Sequence, residues 1–149
     1  MNIEVENEFE NALTSLQHVL IARRVMASDE QMRLNWNHFN IMVLAKERGS
    51  VLPSQISDEL RLSRPTTSKY LKYLKANGLI STSISKNDRR SYTIHLTSLS
   101  KQILQNIIKG QQDNAKLALH ALTTTEAKQF AQITAKITAA LDNESLRTI

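Results

Sequence analysis

Residues 56–80 read ISDELRLSRPTTSKYLKYLKANGLI. Ile56 and Leu60 stand one helical turn apart, and Leu62 follows within a short polar break. Ser63 is a good N-cap, because its hydroxyl can take up a backbone N–H that the first helical turn leaves unpaired. Pro65 is tolerated inside that first turn, where the N–H it lacks would have no intrahelical acceptor. The second helix runs through PTTSKYLKYLKAN and stops at Gly78, which suits a left-handed C′ position. Two short helices joined by about three residues, the second strongly basic, make a helix-turn-helix.

The basic helix has two different sides. Stepping 100° per residue from Thr67, Leu71 falls at about 40°, Leu74 at about −20° and Tyr70 at about −60°, which defines the buried side. Lys72, Pro65, Lys69 and Tyr73 fall opposite, with Ser68 and Thr66 flanking them. The outward face is therefore cationic and hydroxyl-bearing, with its small residues near the N-terminus. Such a face suits a major groove: N-terminal residues approach base edges and later lysines meet phosphates. Arg64 is the best candidate for a bidentate guanine contact.

Immediately downstream, Leu79 and Ile80 begin a strand, Asn87 and Asp88 form a turn, and Tyr92, Ile94 and Leu96 return with period two. A two-stranded projection beside a reading helix reaches the flanking minor groove, whose narrow A-tract form favours an inserted arginine. Asp88 stands two residues before Arg90 and can hold its guanidinium in place beforehand. Arg89 points the other way along the strand and suits a phosphate. Lys86 adds to the same basic tip.

Charge follows this layout. Residues 61–92 carry eight bases against Asp88 alone, a net +7, whereas the whole chain of 149 residues carries +5. A basic focus of this kind attracts a polyanion. On either side lie longer helical patterns. Phe9, Leu13, Leu16 and Leu20 are spaced for a first helix over about 6–27. Asn35 caps a second that Gly49 ends, Thr97 or Ser98 caps one of about 20 residues running on to Leu122, and Thr123 with Glu126 opens the last in capping-box spacing. These flanking helices hold more apolar surface than the central segment can cover, which predicts packing against a second copy. The expected fold is mainly α: a winged helix-turn-helix domain (four helices, two-stranded wing) flanked by N- and C-terminal dimerisation helices. The expected boundaries are 1–34, 35–97 and 98–149.

Composition narrows the alternatives. The chain has no cysteine, which excludes disulfides, thiolate metal sites and a thiol redox sensor. His18, His38, His95 and His120 share no short ligand spacing, so neither a metal nor a cofactor is expected. No apolar run reaches membrane-spanning length, and the acidic start MNIEVENEFE lacks the layout of a signal peptide, so a cytoplasmic protein is expected. No carboxylate pair, nucleophile–base set or phosphate loop stands out, so an enzyme is not expected.

The sequence resembles the MarR family of winged-helix transcription regulators. LNWNHF at 34–39 is similar to that family's helix opening, 56–80 follows its helix-turn-helix pattern, and DRRSYTIHLT at 88–97 matches its wing signature of Asp-Arg-Arg followed by an aliphatic residue and Leu-Thr. The resemblance implies a two-fold dimer on a pseudo-palindromic double-stranded operator. It further implies a repressor released by a small amphipathic or aromatic ligand. By matched position Ser63, Arg64, Thr66, Ser68 and Lys69 belong to the recognition helix, and Asp88 and Arg90 to the wing. With the outward face and basic tip, the candidate DNA-binding set is Ser63, Arg64, Pro65, Thr66, Ser68, Lys69, Lys72, Tyr73, Lys86, Asp88, Arg89 and Arg90. Arg61 departs from the family by standing where Gly is common, so a left-handed backbone there would be strained. His38 stands at a usual Gln, and Ser100 replaces a usual Gly. The competing function is a winged-helix protein-interaction module that docks an acidic partner and has no operator of its own.

Overall fold

Caps and turn residues delimit the elements where their chemistry requires. The computed structural model describes residues 2–27, 33–87 and 89–145. It holds α1 (Ile3–Ala27), α2 (Trp36–Arg48), α3 (Pro53–Leu60), α4 (Arg64–Ala76), β1 (Ile80–Ile84), β2 (Tyr92–Leu96), α5 (Ser98–Leu119) and α6 (Thr124–Ser145). Four helices precede the hairpin and two follow it. At α4 the Ser63 hydroxyl accepts the Thr66 N–H at 3.2 Å, as an N-cap should. Gly49 and Gly78, just past the ends of α2 and α4, take φ of 74° and 70°, a region that costs glycine little.

Arg61 takes φ 52° and ψ 42° at the end of α3, the left-handed conformation that the sequence marks as strained. Its N–H and that of Leu62 both return to the Ser57 carbonyl, closing the turn between the two helices. A residue with a Cβ gives up roughly 1–2 kcal/mol to sit there.

The two compact units are Met1–Gly110 and Gln111–Ile149. In the first, α2, α3, α4, the two strands and the start of α5 share one apolar core. Ile41, Met42, Ile56, Leu74, Leu79, Ile94 and Leu104 are fully buried there, each stabilising the fold by roughly 1.5–3 kcal/mol relative to exposure. The strands pair antiparallel from Ile80 opposite Leu96 to Ile84 opposite Tyr92. Val51 adds a one-residue antiparallel bridge, exchanging backbone hydrogen bonds with Ile94 at 3.1 and 2.8 Å. That bridge stitches the α2–α3 connection to the wing, and no periodicity announces a single paired residue. Thr97 does two tasks at the end of β2. Its hydroxyl donates to the Gly78 carbonyl at 2.7 Å and accepts the Ser100 N–H at 3.3 Å, tying the wing to the end of α4 while capping α5.

The expected turn at Asn87 and Asp88 includes Asp88, which lies outside the described residues. The ladder ends at Ile84 and Tyr92, and beyond it the Ser85 N–H donates to the Ser91 carbonyl at 3.0 Å. Strand pairing stops early because residues 85–91 are polar and offer no apolar alternation to register.

Outside the core the remaining helices expose large apolar residues. Ile3, Phe9, Leu13, Leu16 and Leu20 of α1 are exposed, and in the second unit so are Leu122, Phe130, Ile133 and Leu141. Among the described residues no helix is long and apolar enough to cross a membrane, and no cluster of three or more potential metal-ligating side chains is present.

Candidate nucleic-acid interface

Helix α4 is held from behind and left open in front. Thr67, Leu71 and Leu74 are buried against the core. Thr67 is a polar group in that apolar layer, and its hydroxyl is satisfied by the Ser57 hydroxyl at 2.8 Å, a buried bond across the α3–α4 corner. Besides fixing the angle between the two helices, this bond leaves no buried side-chain polar atom there unpaired.

In front, Arg64, Pro65, Ser68, Lys69 and Lys72 are exposed. Ser63 is exposed as well, although its hydroxyl is shared between the cap and the Thr66 hydroxyl 2.7 Å away. Thr66 is half-buried. The helix is 13 residues, about 20 Å long at 1.5 Å per residue, and slender enough to enter a groove about 12 Å wide.

Tyr73 departs from the helical projection. Rather than facing outward with Lys69, its ring is half-buried and stacked on His38 of α2, with centroids 4.5 Å apart and planes at 30°. A side chain at the margin of a helical face can lean either way, and a buried neighbouring ring outcompetes water for it. Tyr70 meets the same imidazole edge-on at 4.9 Å and accepts a hydrogen bond from the Asn37 amide at 3.0 Å.

Two concavities connect α4 to the wing. One, of about 290 Å³, brings together Arg64 and Ser68 from α4, Ser54 and Ser57 from α3, and Arg90 and Ser91 from the wing. Arg64 and Arg90, 26 positions apart in the chain, thus share one cleft. The other, of about 340 Å³, adjoins it on the same flank, sharing Ser68, Leu71 and Tyr92, and runs on between Lys72 and Lys75 of α4 and Thr82 of β1. Lys75 donates to the Thr82 hydroxyl at 3.3 Å, so one of these cations is already positioned. Lys86 and Arg89 are exposed at the wing tip. Asp88, and with it the expected pairing to Arg90, lies outside the described residues. Ser54, Ser57, Ser91 and Lys75 are neighbours that the helical projection omitted. Small hydroxyls carry little pattern in a sequence, whereas Lys75 was legible as charge.

The segment that bears this surface, residues 34–92, matches the MarR family model. The relation extends to HTH-type transcriptional regulator PrsX of Escherichia coli, 31% identical over 113 residues, which span 73% of this chain and 68% of that one. The chain belongs to the MarR family. Another member, the transcriptional repressor MprA of Escherichia coli K12, is 32% identical over 102 residues. That match takes in 68% of this chain and spans 58% of the length of MprA. The fold agrees with Streptococcus pneumoniae FabT, solved in complex with DNA, at a TM-score of 0.77 and 19% identity, over 95% of this chain and 99% of that one. MarR-family membership accounts for the element order, with the winged helix at the centre and long helices on both sides.

Proposed function

We propose that this MarR-family protein regulates transcription by binding double-stranded DNA sequence-specifically as a homodimer. The observation that carries the reading is the exposed front of α4, bearing Ser68, Lys69 and Lys72, running into a cleft where Arg64 meets Arg90. A polyanion is the partner such a surface fits. Arg64 reads a guanine edge in the major groove, where a bidentate contact is worth about 1–3 kcal/mol of discrimination. Arg90 enters the adjoining minor groove, and Asp88 steers its guanidinium. Lys69, Lys72, Lys86 and Arg89 meet phosphates, which position the protein without carrying sequence information. Tyr73, committed to His38, supports the helix from the side.

The dimer is supported by the apolar residues that α1 and α6 expose in the single chain. A monomer would pay for that surface in water, whereas a second copy covers it. Two reading heads related by a two-fold axis ask for a pseudo-palindromic operator. The protein acts in the cytoplasm, as a repressor whose operator is released when a small amphipathic or aromatic ligand changes the spacing of the heads. MprA, named a transcriptional repressor, is consistent with that sign of regulation.

Footprinting on genomic DNA adjoining the gene tests the reading. Protection of two inverted half-sites, centred about one helical turn (10–10.5 bp) or a multiple of it apart, is the expected result. Uniform or absent protection across that region contradicts it.

A further inference from the structure

His38 is buried, 5% exposed, at the third position of α2. Its Nδ1 accepts the Asn35 N–H at 3.0 Å while the Asn35 side chain accepts the His38 N–H at 3.0 Å. This reciprocal box satisfies two N–H groups that the helix start would otherwise leave unpaired. It requires a lone pair on Nδ1 and hence the tautomer protonated at Nε2. The same ring lies flat on Tyr73 and against the edge of Tyr70, both on α4, and the neighbouring Asn37 amide donates to the Tyr70 hydroxyl. The first turn of α2 therefore grips the flank of the reading helix through one imidazole and one amide.

We propose that His38 is a positioning residue for α4, holding the helix in its reading orientation only while Nδ1 is free of a proton, so that acidification weakens DNA binding. This rests on the DNA-binding reading above. A proton on Nδ1 would face the Asn35 N–H, donor against donor, at the positive end of a helix dipole. The titratable groups facing the ring from α4 are the phenols of Tyr70 and Tyr73. The charged side chains nearest in sequence on either element, Lys69 and Lys72 of α4 and Arg33 before the α2 cap, are exposed cations and offer an imidazolium no compensation. The face of Tyr73 returns some favourable interaction to a cation, but burial prevails and holds the His38 pKa below its ordinary 6.5.

The sign follows from this direction. The unfolded or released ring takes up a proton more readily than the docked one, so docking is fully favoured above about pH 6.5 and loses ground as pH falls toward the lowered value. Two other helices fasten their starts in the same manner with different chemistry. The Gln55 side-chain oxygen accepts the Leu52 N–H at 2.9 Å at α3, and a Glu126 carboxylate oxygen accepts the Thr123 N–H at 2.7 Å at α6. Only α2, of these three, uses a group that titrates near neutrality. Glutamine at 38 would keep the acceptor and remove the titration.

The test uses the full-length protein, its His38→Gln variant, and the tightest-binding duplex selected from a random library at pH 7.5. Affinity by fluorescence anisotropy is followed from pH 7.5 to 5.0. Relative to the variant, the wild type should lose affinity on acidification, by at most about a hundredfold per pH unit for the dimer, about tenfold for the proton excluded at each of its two His38 rings. The ratio between pH 7.5 and 5.0 for H38Q should change far less, whatever its starting affinity. Parallel profiles for the two proteins overturn the proposal. Failure to select any duplex at pH 7.5 overturns the DNA-binding reading and this proposal with it, a result distinct from parallel profiles. Should H38Q not fold, an NMR titration of the wild type decides: the Tyr70 and Tyr73 ring signals must move with the His38 midpoint, and rings that stay fixed through it overturn the proposal.

Discussion

Arg64, Lys72 and Arg90 are exposed side chains to which the proposed function gives different tasks, and their substitution should separate along those lines. Arg64→Ala should relax base preference at one position of each half-site, costing about 1–3 kcal/mol on the preferred sequence. Lys72→Ala should instead weaken binding evenly across sequences and reduce the salt slope by about one unit. Arg90→Ala should lower operator affinity while leaving thermal stability nearly unchanged, since exposed positions away from caps and cores seldom matter by more than about 0.5 kcal/mol. Competition binding with point-mutated operators, alongside thermal melts, reads all three. A collapsed fold in the Arg90 variant would show that a structural residue had been taken for a reader. Arg61 offers the opposite case, a residue at odds with its own backbone. Arg61→Gly should raise stability in chemical denaturation by up to about 1 kcal/mol, because removing the Cβ relieves the left-handed strain, partly offset by a freer unfolded chain. Unchanged or lower stability would mean that the arginine side chain offsets its strain by contacts of its own.

At the scale of elements, the caps make the helices individually testable. Glu126 is fully exposed, yet its pKa lies below the ordinary 4.5 because the Thr123 backbone N–H, and then the Thr123 hydroxyl, hydrogen-bond its charged form. A carboxylate with a lowered folded pKa supports its helix fully above 4.5 and loses that support as pH falls through the lowered value. The Thr123 amide proton should therefore shift in NMR spectra with a midpoint below 4.5, and a midpoint at or above that value would remove the capping box. Most elements were legible for this same reason: Asn35, Ser63, Thr97 and Thr123 carry cap chemistry, and Gly49 and Gly78 mark stops, all of it local. What could not be read was set by partners distant in the chain. Val51 pairs with Ile94, Thr67 with Ser57, and Tyr73 turns from the outward face because His38 lies beside it. Where the ladder stops, at Ile84 and Tyr92, was not legible, because polar residues 85–91 carry no register signal. Among candidate site residues, charge and helical spacing identified the cations of α4 and the wing, whereas no sequence pattern revealed that Arg64 and Arg90 share a cleft.

For the whole molecule, the proposed homodimer rests on the apolar residues exposed on α1 and α6. Deleting residues 124–149 should shift sedimentation toward monomer at micromolar concentration and weaken operator binding far more than any single side-chain change. Losing one reading head removes half of the contacts and the gain from simultaneous engagement. A tight dimer from the truncated chain would place the interface elsewhere. The central claim is that the basic face of α4 and the wing read DNA rather than merely attract it. Its most direct measurement is fluorescence anisotropy over a salt series, comparing the footprinted duplex with a shuffled duplex of equal length and composition. Affinity for both should fall steeply with salt, by about 0.9 logarithmic units per phosphate neutralised. The footprinted duplex should stay tighter by about a thousandfold or more at physiological salt. Two superimposable curves would contradict the claim and leave this surface as a docking face for acidic partners in general.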